Sequence, residues 1–193
     1  MLSFKRAVMC AAVCAASVFL VSCGGLFSEP AYTPVYTYDI GFPSAELVQS
    51  ASPLEIEQLT GDSSARFKMF FRRGSRIEQN EYRKWVQIPS AMLTKYLKLV
   101  FTADDRKPMY SLGGSLIAFE ADPGQHLCRL YIDYAIREKA DNSIVRSGIL
   151  RIETPLPEGD EGEAFASAMS NAAADAAAAF DQIIKSLPQQ KKK

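Results

Sequence analysis

His126 and Cys128 stand two residues apart in "HLCRLYIDYAIRE". On a strand, positions i and i+2 face the same way. The pair therefore has the spacing of a thiolate–imidazole dyad or of half a metal site. Neither chemistry finds its remaining parts. His126 is the one histidine of the chain, so a His-rich metal centre is excluded. Leu130, Ile132 and Tyr134 continue the Cys128 face, and a Cys in such company reads as a small buried hydrophobe. A second candidate is acidic: Asp104 and Asp105 with Glu120 and Asp122. Paired carboxylates can do acid–base work, but these fall at element ends and in turns, where solvated Asp is expected. No Gly-x-Ser-x-Gly elbow, His-Glu-x-x-His pair or phosphate loop occurs. The residues predict no catalytic constellation, no metal, and a protein that is not an enzyme.

A third group is basic. Between Arg66 and Lys84 lie Arg66, Lys68, Arg72, Arg73, Arg76, Arg83 and Lys84, against Glu78 and Glu81. Phe70, Phe71, Tyr82 and Trp85 are interleaved or adjacent. Trp, Tyr and Arg are favoured at binding hot spots, so Arg72, Arg73, Tyr82 and Trp85 are candidates for partner binding. Contact with anionic lipid is a second reading, and the solvated face of a strand a third. Over the whole chain 22 Lys+Arg balance 22 Asp+Glu, which argues against a general nucleic-acid binder.

The remaining reactive group is Cys23, at the end of "MLSFKRAVMCAAVCAASVFLVSC". Lys5 and Arg6 form a positive head, and residues 7–22 are apolar or small. That run falls short of the ~20 apolar residues a bilayer span needs. The pattern is a secretory signal, with a retained helical anchor as the weaker alternative. Cys10 and Cys14 leave with it. Leu20-Val21-Ser22-Cys23 resembles the lipobox of bacterial lipoproteins. That resemblance implies diacylglycerol on the Cys23 thiol, cleavage before Cys23, and acylation of the new amino terminus. An ordinary signal peptide that happens to end on Cys is the alternative. Each buried CH₂ contributes ~0.8 kcal/mol, and two chains anchor stably where one does not. The same resemblance implies the outer membrane over the inner, because Gly24 stands where lipoproteins retained at the inner membrane carry Asp.

The elements that must position these groups follow from pattern. Gly24 to Pro34 is rich in Gly and Pro and reads as a tether. Val35–Ile40, Pro53–Leu59 and Arg66–Arg73 alternate and read as strands. "GFPSAE" reads as a break. Gly74-Ser75 suggests a tight turn, Arg76–Gln79 a short strand, and Glu81–Gln87 fits no one pattern. Pro89 suits a first helical position, and Leu93, Tyr96, Leu97 and Val100 share a face, which predicts a helix over Pro89–Thr102. Leu112–Ala121, His126–Glu138 and Ser143–Thr154 form an antiparallel meander. Phe165, Met169, Ala172, Ala176, Phe180, Ile183 and Leu187 make the stripe of a long terminal helix. Asp160, Glu161 and Glu163 suit its N-terminus. The expected fold is a single-domain α/β (α+β) sandwich, a mixed sheet packed by two main helices. The expected organisation is a signal at 1–22, a lipidated tether at 23–34, a domain at 35–187 and a frayed tail at 188–193.

The order of these features resembles the ABC-type transport auxiliary lipoproteins, the PqiC-type or YmbA-like group. The lipobox at Cys23 carries this, with "YTYDIG" (Tyr36 to Gly41). So does "RRGSRIEQNEYRKWVQIPSAMLTKYL" (Arg72 to Leu97), where Trp85, Pro89 and Leu93 take the matching places. The meander Leu116 to Thr154, leading into an Ala-rich helix, completes the order. The segment before Arg66 departs from the family by being shorter and more polar. The resemblance implies a non-enzymatic role beside an ABC transporter and an MCE-domain protein, moving phospholipid or other hydrophobic molecules between the two membranes. It implies a periplasm-facing lipoprotein held by its lipid, and is compatible with a homo-oligomer. An outer-membrane assembly or envelope-scaffold lipoprotein is the alternative.

Overall fold

The computed structural model describes residues 32–61, 66–101 and 107–188. Cys23, Asp104 and Asp105 lie outside them. In chain order the elements are β1 (Tyr36–Tyr38), α1 (Ala45–Ser50), β2 (Glu55–Ile56), β3 (Lys68–Arg73), β4 (Arg76–Trp85), α2 (Pro89–Phe101), β5 (Tyr110–Asp122), β6 (Leu127–Glu138), β7 (Ile144–Pro155) and α3 (Glu161–Ser186). Alternation sets the strands. In β6 the residues Cys128, Leu130, Ile132, Tyr134 and Ile136 are all buried, while Arg129, Tyr131 and Asp133 face the other way.

The sheet has seven strands in the order β1-β4-β3-β5-β6-β7, and β2 also pairs with β5. The β5–β6–β7 meander is antiparallel. β1 on β4, and β2 and β3 on β5, are parallel. The mixed sheet and single domain match expectation. The described residues from Val35 onward form one compact unit.

Both long helices cover the same face, giving two layers around one core. Along α3, Phe165, Ala168, Met169, Ala172, Ala176 and Phe180 are fully buried. Its alanines let the helix approach the sheet closely and add helix propensity. Met92, Leu93, Tyr96, Leu97 and Val100 of α2 close the core against β2, β5 and α3.

Three local expectations change. Ala45–Ser50, whose first two residues read as part of a break, is a helix turn-and-a-half long. Ser44 caps it, accepting from the Leu47 amide at 3.3 Å. Six residues are too few for periodicity to register, so only the cap could have announced it. Arg76–Trp85 is one continuous strand. Its ladder with β3 steps from Asn80 to Lys84 while β3 advances a single residue. Asn80 Oδ1 holds that bulge, accepting from the Tyr82 and Arg83 amides at 2.9 and 3.0 Å. The bulge breaks the alternation that would have identified the strand. Finally, His126 is not on β6. It ends the preceding turn at φ 53°, so it does not share a strand face with Cys128. Its carbonyl accepts from the Leu156 amide at 2.9 Å.

Candidate functional site

Strand β3 puts Met69 and Phe71 into the core. Its other register, Lys68, Phe70 and Arg72, points away from the helices. Opposite Phe70 and Arg72 on β4 stand Gln79 and Ile77. β3 touches β5 in register only at Phe71 and Ala121, and beyond that point the two strands diverge. Ile88, Pro89 and Ser90, at the entry to α2, fill the gap from below with Gly61. A Cβ on Gly61 would lie 3.1 Å from the Ser90 Cβ, so the closeness of these segments suits glycine there. On β5 the register shifts between Leu116 and Ala118. Ile117 is the extra residue and is 53% exposed.

The result is a cleft of about 260 Å³ where the sheet splits. Phe70, Ile77, Ile88, Pro89, Leu116 and Ile117 give it apolar walls, while Gln79, Ser90 and Glu120 are polar. Ordinary small-molecule pockets run from ~300 to 1,000 Å³, so this is a contact groove rather than an enclosing site.

A charged network bounds it on one side. Arg72 forms a two-pronged bond with Glu120, Nε to Oε1 at 2.5 Å and Nη2 to Oε2 at 2.8 Å. Arg129 donates to Asp122 at 3.0 Å, to Glu120 at 3.4 Å and to Gln125 at 2.7 Å. Glu120 and Asp122 are buried, and such charges persist only when paired. The hydrogen bond to Glu120 raises the Arg72 pKa above its ordinary value. Burial works against the charge on Arg129, but Asp122 and Glu120 outweigh it and hold that pKa up as well. These two carboxylates therefore hold arginines. They are not in solvated turns, as the sequence suggested.

The basic stretch disperses. Arg73 pairs with Glu78 at 3.0 Å and with Glu161 of α3 at 3.5 Å. Arg76 also pairs with Glu78. Arg83 donates to Asp160 at 2.5 Å. Asp160 is the N-cap of α3, accepting from the Gly162 and Glu163 amides at 2.9 and 3.2 Å. The Tyr38 hydroxyl also donates to it, at 3.3 Å. The Arg83 guanidinium and these amides pull the Asp160 carboxyl down to about 2.

The four partner-binding candidates do not share one surface. Trp85 is 1% exposed and packs edge-on against Phe119 and Phe165, with ring centroids at 5.2 and 5.0 Å. It is a core residue rather than a surface one, because the bulge in β4 turns it inward. Arg72 lies on the helix-free face, Arg73 reaches to α3, and Tyr82 is exposed in the bulge. Cys128 is fully buried, and burial pushes its thiol up to about 12. At neutral pH such a thiol is not a nucleophile. Among the described residues no group of three His, Cys, Asp or Glu could hold a metal, and no helix is long and apolar enough to cross a membrane. The sequence reading missed the cleft isoleucines. Their signal was apolar side chains at polar-register positions, Phe70 and Ile77 above all.

No family model matches the chain, and no curated protein matches it. Solved structures do. A crystal structure of a DUF330 protein from Xanthomonas campestris is 18% identical, with a TM-score of 0.59 over 76% of this chain and 91% of that one. A crystal structure of an uncharacterized protein is 9% identical, with a TM-score of 0.63 over 79% of this chain and 99% of that one. A candidate lipoprotein from Caulobacter crescentus is 14% identical over 72% and 93% of the two chains, but its TM-score of 0.39 is too low to bear on the fold. At these identities the likeness is one of fold: the open mixed sheet under two long helices is similar in architecture to that of the Xanthomonas campestris DUF330 protein.

Proposed function

We propose that this chain is a membrane-anchored, periplasm-facing lipoprotein and a docking component rather than an enzyme. It would serve as the auxiliary component of an ABC/MCE-type system that moves phospholipids or other hydrophobic molecules between the two membranes. The observation that carries the reading is the sequence Leu20-Val21-Ser22-Cys23, placed twelve residues before a domain that begins at Val35. An acylated Cys23 would hold the domain at a bilayer, facing the envelope. The fold likeness supports this by analogy, since fold alone does not carry function. The apolar cleft between the sheet and the entry to α2 supports it too, because exposed aliphatics around one groove suit a docking module. Covalent acyl groups on Cys23 are the one modification the reading requires. The outer membrane is its home in this reading, because Gly24 is not Asp.

The test is purification of the lipidated protein from detergent-solubilised membranes under mild conditions. Recovery of an MCE-domain protein with ABC subunits is the expected outcome. Recovery of the acylated chain with neither component overturns the transport assignment and leaves a scaffold lipoprotein.

A further inference from the structure

The cleft has apolar walls and a cationic rim that the fold itself leaves unmatched. Ile77, Ile88 and Ile117 are 47%, 36% and 53% exposed around one opening. Single exposed aliphatics are ordinary, but a cluster around a groove marks an interaction surface. Lys68 and Lys84 stand directly opposite each other on β3 and β4. Like charges in that position destabilise a sheet. Lys68 donates to Gln79, a wall residue, which places its ammonium group at the rim. Neither lysine has a carboxylate partner among the described residues. On that face Glu120 is engaged by Arg72 and Arg129, and Asp122 by Arg129.

The chain itself limits what meets this face. Gly24 to Val35 is twelve residues, which reach at most about 40 Å from Cys23 at full extension. They lead into β1, whose Thr37 is the register partner of Lys84. The tether thus joins the sheet beside the strand that carries the cationic rim. Exposed aliphatics with lysines beside them suit the boundary between headgroups and acyl chains.

We propose that this helix-free face rests on an anionic membrane surface. Ile77, Ile88 and Ile117 enter the headgroup–acyl boundary, and Lys68 and Lys84 pair with lipid phosphates. The inference rests on the reading of Cys23 as a lipid attachment point, and its test separates the two.

The mature protein is purified from membranes of a producing bacterium and its acyl mass is measured first. An environment-sensitive thiol dye is placed at Ile117→Cys, with Leu99→Cys on the helical layer as the reference. Buried Cys128 does not compete for the dye. Each protein is studied with vesicles of phosphatidylcholine alone and with phosphatidylcholine mixed with phosphatidylglycerol, both carrying spin-labelled lipid. Quenching at residue 117, absent at 99 and stronger in the anionic vesicles, is expected. Each lysine contributes about a fivefold anionic preference, so K68E/K84E removes it. Equal quenching at both sites, or none at 117, overturns the proposal. A dye at 117 already shielded without vesicles, in a protein that runs as an oligomer, also overturns it in favour of a second copy. An unacylated chain overturns the anchoring reading, and quenching at 117 by vesicles added from outside then decides the surface separately, in a chain carrying Cys23→Ser, and Cys10→Ser and Cys14→Ser where the leader is retained, so that 117 alone takes the dye. Should the variants not fold, hydrogen exchange of wild-type residues 68–79 is the second measurement. Slower exchange on anionic vesicles supports the contact, and unchanged exchange overturns it.

Discussion

Trp85 lies between Phe119 and Phe165 with its indole N–H lacking an acceptor among the described atoms. Truncation to Ala removes a fully buried aromatic and is expected to cost about 3–5 kcal/mol. The check is a lowered urea midpoint at unchanged slope. W85F keeps a ring in place and discards the orphaned donor, whose burial costs about 1–3 kcal/mol. It is therefore expected to cost well under half as much. Equal losses in W85A and W85F would show that indole shape, not ring packing, holds the site. Cys128 makes a complementary case. Its thiol is buried and its pKa is pushed up to about 12. In native protein at mildly alkaline pH it is expected to resist maleimide, and to react fully in denaturant. Residue type alone pointed the wrong way for Trp85 and the right way for Cys128. An aromatic beside arginines suits an interface and a core equally, whereas a Cys flanked at i+2 and i+4 by Leu130 and Ile132 suits little besides a core.

The α3 N-terminus is where three elements meet. Asp160 caps the helix, receives Arg83 from β4 and receives Tyr38 from β1. D160A is expected to destabilise by about 1–2 kcal/mol from the cap alone, measured by chemical denaturation. D160N adds a pH readout. The folded pKa, about 2, lies below the ~3.9 of a free Asp. The stabilisation is thus complete above about pH 4 and fades as pH falls toward 2. The variant is expected to flatten the stability slope in that window and nowhere above it. Gly114→Ala tests the meander. A Cβ there would sit 2.1 Å from the Asp133 carbonyl oxygen, so the β5–β6 ladder must part locally, and loss of soluble folded protein is expected. Most strands and both long helices were legible, because one buried face writes its period into the sequence. The long helix of Phe165, Met169 and Phe180 is the clearest example. The cleft was not legible, since Phe70, Ile77, Ile88 and Ile117 come together through a bulge and a strand divergence that periodicity does not encode. Nor were the partners of the basic stretch. Arg72 finds Glu120 on another strand and Arg83 finds Asp160 at the cap of α3, and a window of sequence shows only one member of each pair.

At the scale of the molecule, the anchoring reading makes a direct prediction. Metabolic labelling with palmitate is expected to mark the wild-type chain and C128A equally, and to leave C23A unlabelled. Label on C23A would place the acyl group elsewhere and remove the tether. If the label is on Cys23, the way β1 joins the sheet takes on a mechanical meaning. Its three residues, Tyr36–Tyr38, lie parallel to Arg83–Trp85 at the sheet edge, immediately after the tether. A pull along β1, as when the membrane and a docked partner drift apart, loads its ladder with β4 in shear, so the bonds resist together and do not open one at a time. The Tyr38–Asp160–Arg83 junction then passes part of that load into the end of α3. The protein would behave as a strain-bearing link that takes its load first through the short strand next to its anchor.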